Sequence, residues 1–172
     1  MKISELLQGN ISSVQYIGIV DNQNSKPVEI VENPNPSQKL DFSINNKEYK
    51  EISLYPFDFA ISMKDKNGNE RSKCDLIFTI ESENKIILCE MKDRKKANIG
   101  KATNQLLSSL EILSEKEILS NYKNKNSRYA YVSNVRGHRG LQMNYTSKTN
   151  SFWENFRTHL RVATCYNVES AL

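Results

Sequence analysis

Apolar and polar positions divide the chain into short blocks. The sharpest are two apolar runs, residues 74–80 and 85–92, separated by the polar tetrapeptide Glu81-Ser82-Glu83-Asn84. Runs of this length around a polar break predict an antiparallel hairpin. Within the second run, Ile86-Ile87-Leu88-Cys89 is apolar without alternation, the pattern of a strand covered on both faces. Upstream, residues 57–63 alternate and predict a strand, followed by a turn over 65–70 with the favoured Asn-Gly pair. Together these three strands predict an antiparallel meander. Downstream, Ala102, Leu106, Leu110 and Leu113 form the apolar stripe of a helix running from about residue 97 or 99 to 114. A second short helix is expected around 115–121, and residues 128–135 read as a further strand. Strand, helix and strand in that order make a crossover, which places 128–135 parallel to 85–92.

The flanks are less sharply patterned. Residues 2–8 predict a short helix stopped by Gly9 and Asn10. Residues 14–20 and 27–31 predict strands separated by the turn-prone 21–25, and Pro34 and Pro36 make 33–37 a loop. Residues 40–44 and 49–54 are expected to pair around Asn45-Asn46. At the other end, 151–160 reads as a capped amphipathic helix and 162–168 as a last strand. With no internal repeat or linker, residues 1–172 are expected to form a single domain. Its core spans about 55–135, with a β-rich elaboration at 10–54 and a C-terminal helix and strand at 151–168.

Composition narrows the setting. A chain of 172 residues that is 38% hydrophobic and 26% charged has the profile of an ordinary soluble domain. No stretch approaches 18 consecutive apolar residues, so no membrane span is expected, and the first residues lack the apolar core of a secretory signal. The three cysteines, at 74, 89 and 165, are odd in number and show no CxxC spacing. That usage fits a reducing, cytoplasmic compartment, with Cys74 and Cys89 expected as buried hydrophobes. The net charge of +4 is modest, but residues 121–172 hold eight Lys or Arg against two acids while the remainder is slightly acidic. This distribution fits either a polyanion partner or a solvated charged surface.

Chemistry enters through two acids set in the apolar hairpin. Asp75 opens the first run and Glu90 closes the second, so antiparallel pairing brings them together at one sheet edge. Lys92 shares the face of Glu90, two residues on. Converging carboxylates repel unless one is protonated or a hard divalent cation lies between them. A lysine beside them is placed to polarise a water and to stabilise charge growing on a phosphate. The parallel crossover should bring the loop Arg136-Gly137-His138-Arg139-Gly140 to the same edge. Lys101, Gln105 and Ser108 or Ser109 run along one helix flank. The competing reading makes Asp75 and Glu90 exposed strand-end charges with Lys92 as their surface partner.

Asp75, a gap of 14 residues, then Glu90-Met91-Lys92, set among these elements, resembles the PD-(D/E)XK nuclease superfamily. The resemblance covers roughly residues 55–135, with a first helix at 2–8. It implies an α/β, restriction-endonuclease-like αβββαβ core with a mixed central sheet flanked by helices. It also implies Mg2+, replaceable by Mn2+, held by Asp75 and Glu90, with Lys92 and Gln105 completing the catalytic set. Glu5 and Asp58 are candidates for the additional upstream acid of many members. Cys74 stands where the motif usually has proline, and Ser109 where its fuller form has an aromatic residue.

The expected activity is metal-dependent hydrolysis of phosphodiesters by an endonuclease, with DNA favoured over RNA. Lys101, Arg136, His138 and Arg139 would contact the nucleic acid. A homodimer is expected by analogy with nucleases that cut both strands. Two alternatives stand beside this reading: a ribonuclease, and a nuclease-like binding or structural subunit that has lost turnover.

Overall fold

The computed structural model describes residues 1–22, 26–92, 99–133 and 145–168. It is mixed α/β, with two mixed sheets and three helices among the described residues. In chain order these are α1 (Ile3–Leu6), β1 (Asn10–Ser12), β2 (Tyr16–Val20), β3 (Glu29–Glu32), β4 (Phe42–Asn45), β5 (Ile52–Pro56), β6 (Leu76–Ile80), β7 (Lys85–Met91), α2 (Ile99–Glu115), β8 (Arg128–Ser133), α3 (Tyr145–Phe156), β9 (His159–Val162) and β10 (Cys165–Asn167). The larger sheet has the order β1-β5-β6-β7-β8-β9 and the smaller β10-β4-β2-β3.

The central hairpin forms as its pattern requires. β6 and β7 pair antiparallel from Leu76↔Cys89 to Ile80↔Lys85. A 3-10 turn at Glu81–Glu83 joins them, and Asn84 closes it at φ 50°, in the left-handed region asparagine tolerates. Every residue of both strands is buried. Ile77, Ile86 and Leu88 face Ala102, Leu106 and Leu110 of α2. Phe78, Ile87 and Cys89 face Ile17, Ile19, Phe42 and Ile44 of the small sheet. The N-terminal β-rich segment is therefore the second cover that the unalternating 86–89 run demands. Cys74 and Cys89 are buried free thiols, as expected, and burial pushes both well up from the usual thiol range. β8 lies parallel to β7, from Ile86↔Arg128 to Met91↔Ser133, which is the expected crossover through α2.

Several boundaries differ from expectation. Residues 57–63 form no strand: β5 takes that place in the meander, pairing Pro56 with Leu76, and β7 fills the other edge of β6. With no edge left, 57–60 turn away; Phe57 is fully buried whereas Phe59 is 51% exposed, so the alternation is not realised. The turn at 65–70 does form, with Gly68 at φ 82° and an isolated bridge between Lys64 and Glu70.

Residues 40–44 and 49–54 do not pair with each other but lie in different sheets. β4 joins β2 and β10, and β5 joins β1 and β6. Asn46 is buried at the crossing, its amide donating to the carbonyls of Val14 and Lys50. The strand β1 carries no sequence signal.

The C-terminal helix starts at Tyr145 rather than 151, because its first turns are polar and the apolar signal begins only at the buried Phe152. The expected 162–168 strand is two strands. β9 lies parallel to β8, and β10 parallel to β4 in the other sheet. The expected 115–121 helix is a 3-10 turn at Ile118–Asn121.

Arg128 fastens these C-terminal pieces. Its guanidinium donates to the carbonyls of Leu119, Tyr122 and Phe156, each at 2.7 Å. Arg128→Met should strand three carbonyls and cost about 2–3 kcal/mol in urea unfolding. An unchanged unfolding midpoint would show that the clasp contributes nothing.

Candidate active site

One residue beyond the Leu76↔Cys89 pair, Asp75 and Glu90 meet at the open end of the hairpin. Glu90 continues the Ile86, Leu88 alternation and so faces α2, where it is 0% exposed. Asp75 is half-buried, and its Oδ2 accepts the Met91 backbone N–H at 2.6 Å. The competing picture of two exposed strand-end charges does not describe them.

Burial lifts both carboxyls. Asp75 is raised to about 7, with the Met91 N–H opposing and the charge of Asp21 adding to the rise. Glu90 is raised to about 9 by burial first and by Asp75 second; the nearby ammonium of Lys92 opposes this without cancelling it. Asp58 is raised as well, chiefly by burial, with Lys73 and Lys92 pulling the other way. The raised values report acids crowded together in a place poor in water.

Lys92 pairs with Glu90 Oε1, and its Nζ also donates to Gln105 Oε1 at 2.7 Å. Gln105 in turn donates through Nε2 to the Lys73 carbonyl at 3.2 Å. Of the helix flank that carries Lys101, Gln105 and Ser109, it is Gln105 that reaches Lys92. Lys101 lies exposed one turn earlier on α2. Asp58 comes from the turn after β5, which is bolted to the site by the Phe57 N–H donating to the Asp75 carbonyl. Glu5 is not brought to this place. It is exposed on α1, at the turn end of the hairpin, where Lys2 and Ser4 border a hollow with Glu81. Arg136, His138 and Arg139 lie outside the described residues.

Two charged neighbours escaped the sequence reading. Asp21 follows β2; its N–H donates to Asp41 Oδ2 at 3.0 Å, and Ser133 Oγ hydrogen-bonds the Asp41 carbonyl, tying this corner to the end of β8. Lys73 is 3% exposed, and its ammonium donates to the Ile61 carbonyl at 2.6 Å and to Glu70 Oε1 at 2.7 Å. That contact, with N–H and O–H donors from Met63 and Ser62, holds Glu70 down at about 2. Lys73 thus pins the 61–70 loop beside the site.

Compared with protein-family models, curated proteins and solved structures, the chain matches none.

The site must then be judged on its own donors. Glu90 Oε2 is buried and has no hydrogen-bond partner among the described residues, which is costly for a carboxylate oxygen. Among the described residues no three His, Cys, Asp or Glu side chains gather into a metal cage. Two carboxylates with one orphaned oxygen suit a hard cation that keeps most of its water, as Mg2+ does. They do not suit zinc, which prefers sulfur and imidazole nitrogen.

Proposed function

We propose that the protein is a Mg2+-dependent endonuclease acting on DNA. The observation that carries this reading is the fully buried Glu90 Oε2 beside Asp75, without a hydrogen-bond partner among the described residues, with Lys92 fixed on the same face. With β1–β4 set aside as an insertion, the order α1, β5–β6–β7, α2, β8 supports it, since it is the order the αβββαβ resemblance implies, with Asp75, Glu90 and Lys92 at the open end of the β6–β7 hairpin.

Asp75 and Glu90 would hold Mg2+, or Mn2+ in its place. The ion supplies a Lewis acid for the phosphate oxygen and a more acidic water. Lys92, oriented by Gln105, places a positive charge where the attacking water and the phosphate meet. It offsets negative charge as that charge develops, in a setting where burial strengthens the interaction. Lys101 and the basic residues Arg136, His138 and Arg139 would contact the DNA, the cationic ones on its backbone, giving affinity that falls as salt rises.

The test is nicking of supercoiled plasmid in Mg2+ against the same reaction in EDTA. Wild type should nick only with the metal, and Lys92→Ala should slow it by about a hundredfold or more. Full activity in the alanine variant would remove Lys92 from the mechanism.

A further inference from the structure

A buried serine interrupts the apolar stripe of α2. Ser109 is 0% exposed, flanked by the buried Leu106, Leu110 and Leu113. Its hydroxyl donates to the Gln105 carbonyl one turn back, at 2.8 Å, as helix serines commonly do. The same oxygen also accepts the backbone N–H of Cys74 at 2.8 Å. That N–H is buried and lies just before β6 begins, where no ladder partner is at hand.

Gln105 takes the other end of the same group. The Lys73 carbonyl and the Cys74 N–H belong to one peptide plane, and Gln105 Nε2 donates to that carbonyl at 3.2 Å. Two side chains one helical turn apart therefore clamp both poles of the peptide unit immediately before Asp75. Gln105 holds Lys92 with its remaining oxygen. One helix flank thus sets the direction in which the chain enters Asp75 and the position of the lysine opposite.

We infer that Ser109 is a positioning residue for Asp75, and that Ser109 and Gln105 form a brace that presets the carboxylate for its cation. The inference rests on the reading of Asp75 and Glu90 as metal ligands. It accounts for both departures from the nuclease motif at once, since positions 74 and 109 are donor and acceptor of a single hydrogen bond. A proline at 74 has no N–H and needs no acceptor at 109. Cysteine at 74 brings a buried N–H that must be met, and an aliphatic or phenyl side chain at 109 cannot meet it.

The experiment measures Mn2+ affinity by electron paramagnetic resonance, without DNA, for wild type, Ser109→Ala and Ser109→Thr, each checked as folded by circular dichroism. The alanine variant should bind Mn2+ about tenfold or more weakly, the usual scale for losing a partner that orients a ligand. Threonine, which keeps the hydroxyl, should restore affinity to within about threefold of wild type. A purely structural serine would lower the melting temperature and leave the affinity of the folded protein alone. If the alanine variant does not fold, Ser109→Cys, with its weak sulfur acceptor, takes its place and should show the same loss. A folded alanine or cysteine variant with wild-type affinity, or a threonine variant as weak as alanine, overturns the brace and leaves the metal site standing. A wild-type protein that does not bind Mn2+ overturns the metal site itself and the brace with it.

Discussion

Replacing Glu90 by glutamine is expected to abolish Mg2+-dependent cleavage and, in the same molecule, to stabilise the metal-free protein. The two effects have one cause. Glu90 is fully enclosed, one of its oxygens meets no donor among the described residues, and Asp75 faces it, so its charged form is held at a cost that raises its proton affinity to about 9. An amide of the same shape carries no charge to desolvate and still offers an oxygen to Lys92, which also keeps Gln105. Removing a buried carboxyl that at pH 8 must take up a proton to stay enclosed should add about 1–2 kcal/mol to unfolding at that pH in EDTA. The same change deletes an anionic ligand. Losing that interaction should cost several kcal/mol at the transition state, about a thousandfold in nicking rate. Urea unfolding and a plasmid assay read the two separately. A glutamine variant that cuts normally would end the assignment of Glu90, and one less stable than wild type would show that its charge is compensated in the fold.

The second large effect is on pH. Asp75 and Glu90 have folded values of about 7 and about 9 against ordinary values of 3.8 and 4.5. Between roughly pH 4 and pH 9 the folded state therefore binds more protons than the unfolded chain, and stability must fall as pH rises through that window. The limit is about 1.4 kcal/mol per pH unit for each group. Glu70 and Glu83 carry the opposite sign. Their folded values lie below the ordinary one, so what they contribute is present above that value and lost as acid protonates them. The metal-free protein should thus be most stable in mildly acidic solution and melt at lower temperature toward pH 9. A bound divalent ion replaces the protons on the pair, so the rise in melting temperature on adding Mg2+ should grow with pH. Calorimetry from pH 5 to 9, with EDTA and with saturating Mg2+, checks this. Two parallel curves would mean that the ion, if it binds, binds elsewhere.

How far this site could be read without a structure depended on the kind of contact involved. Asp75, Glu90 and Lys92 were legible because a charge inside an apolar run violates the local pattern, and strand pairing brings such violations together. Helical spacing put Gln105 on a flank with Lys101 and Ser109, and only the nuclease resemblance singled it out. What Ser109 does there was not legible, since a serine on a helix flank looks like any solvated residue until Cys74 lies against it. Lys73 and Asp21 were invisible for a related reason: the local pattern around a lysine or a turn aspartate does not say that the fold will carry it to within reach of Asp58 or Asp75.

The fold divides along a similar line. The hairpin, α2 and β8 are local or nearly so, and their periodicity survived. Residues 57–63 alternate as a strand does, yet lost their place to β5 because β6 has only two edges. The expected 40–54 hairpin rested on a good Asn-Asn turn signal. It was overridden by pairings of β4 with β2 and with β10, the latter from the far end of the chain.

That last pairing reaches across the chain: Asn45 and Asn167, hydrogen-bonded side by side, are separated by 122 positions. The small sheet, which roofs one face of the Asp75–Glu90 hairpin, is completed only by residues 165–167, and Tyr166 and Val168 complete its core. A ribosome must therefore have released residue 168 before the roof can close. Until then the Phe78 and Cys89 face of the hairpin, opposite the face that carries Glu90, lacks part of its cover, and it is Tyr166 that finally packs edge-on against Phe78.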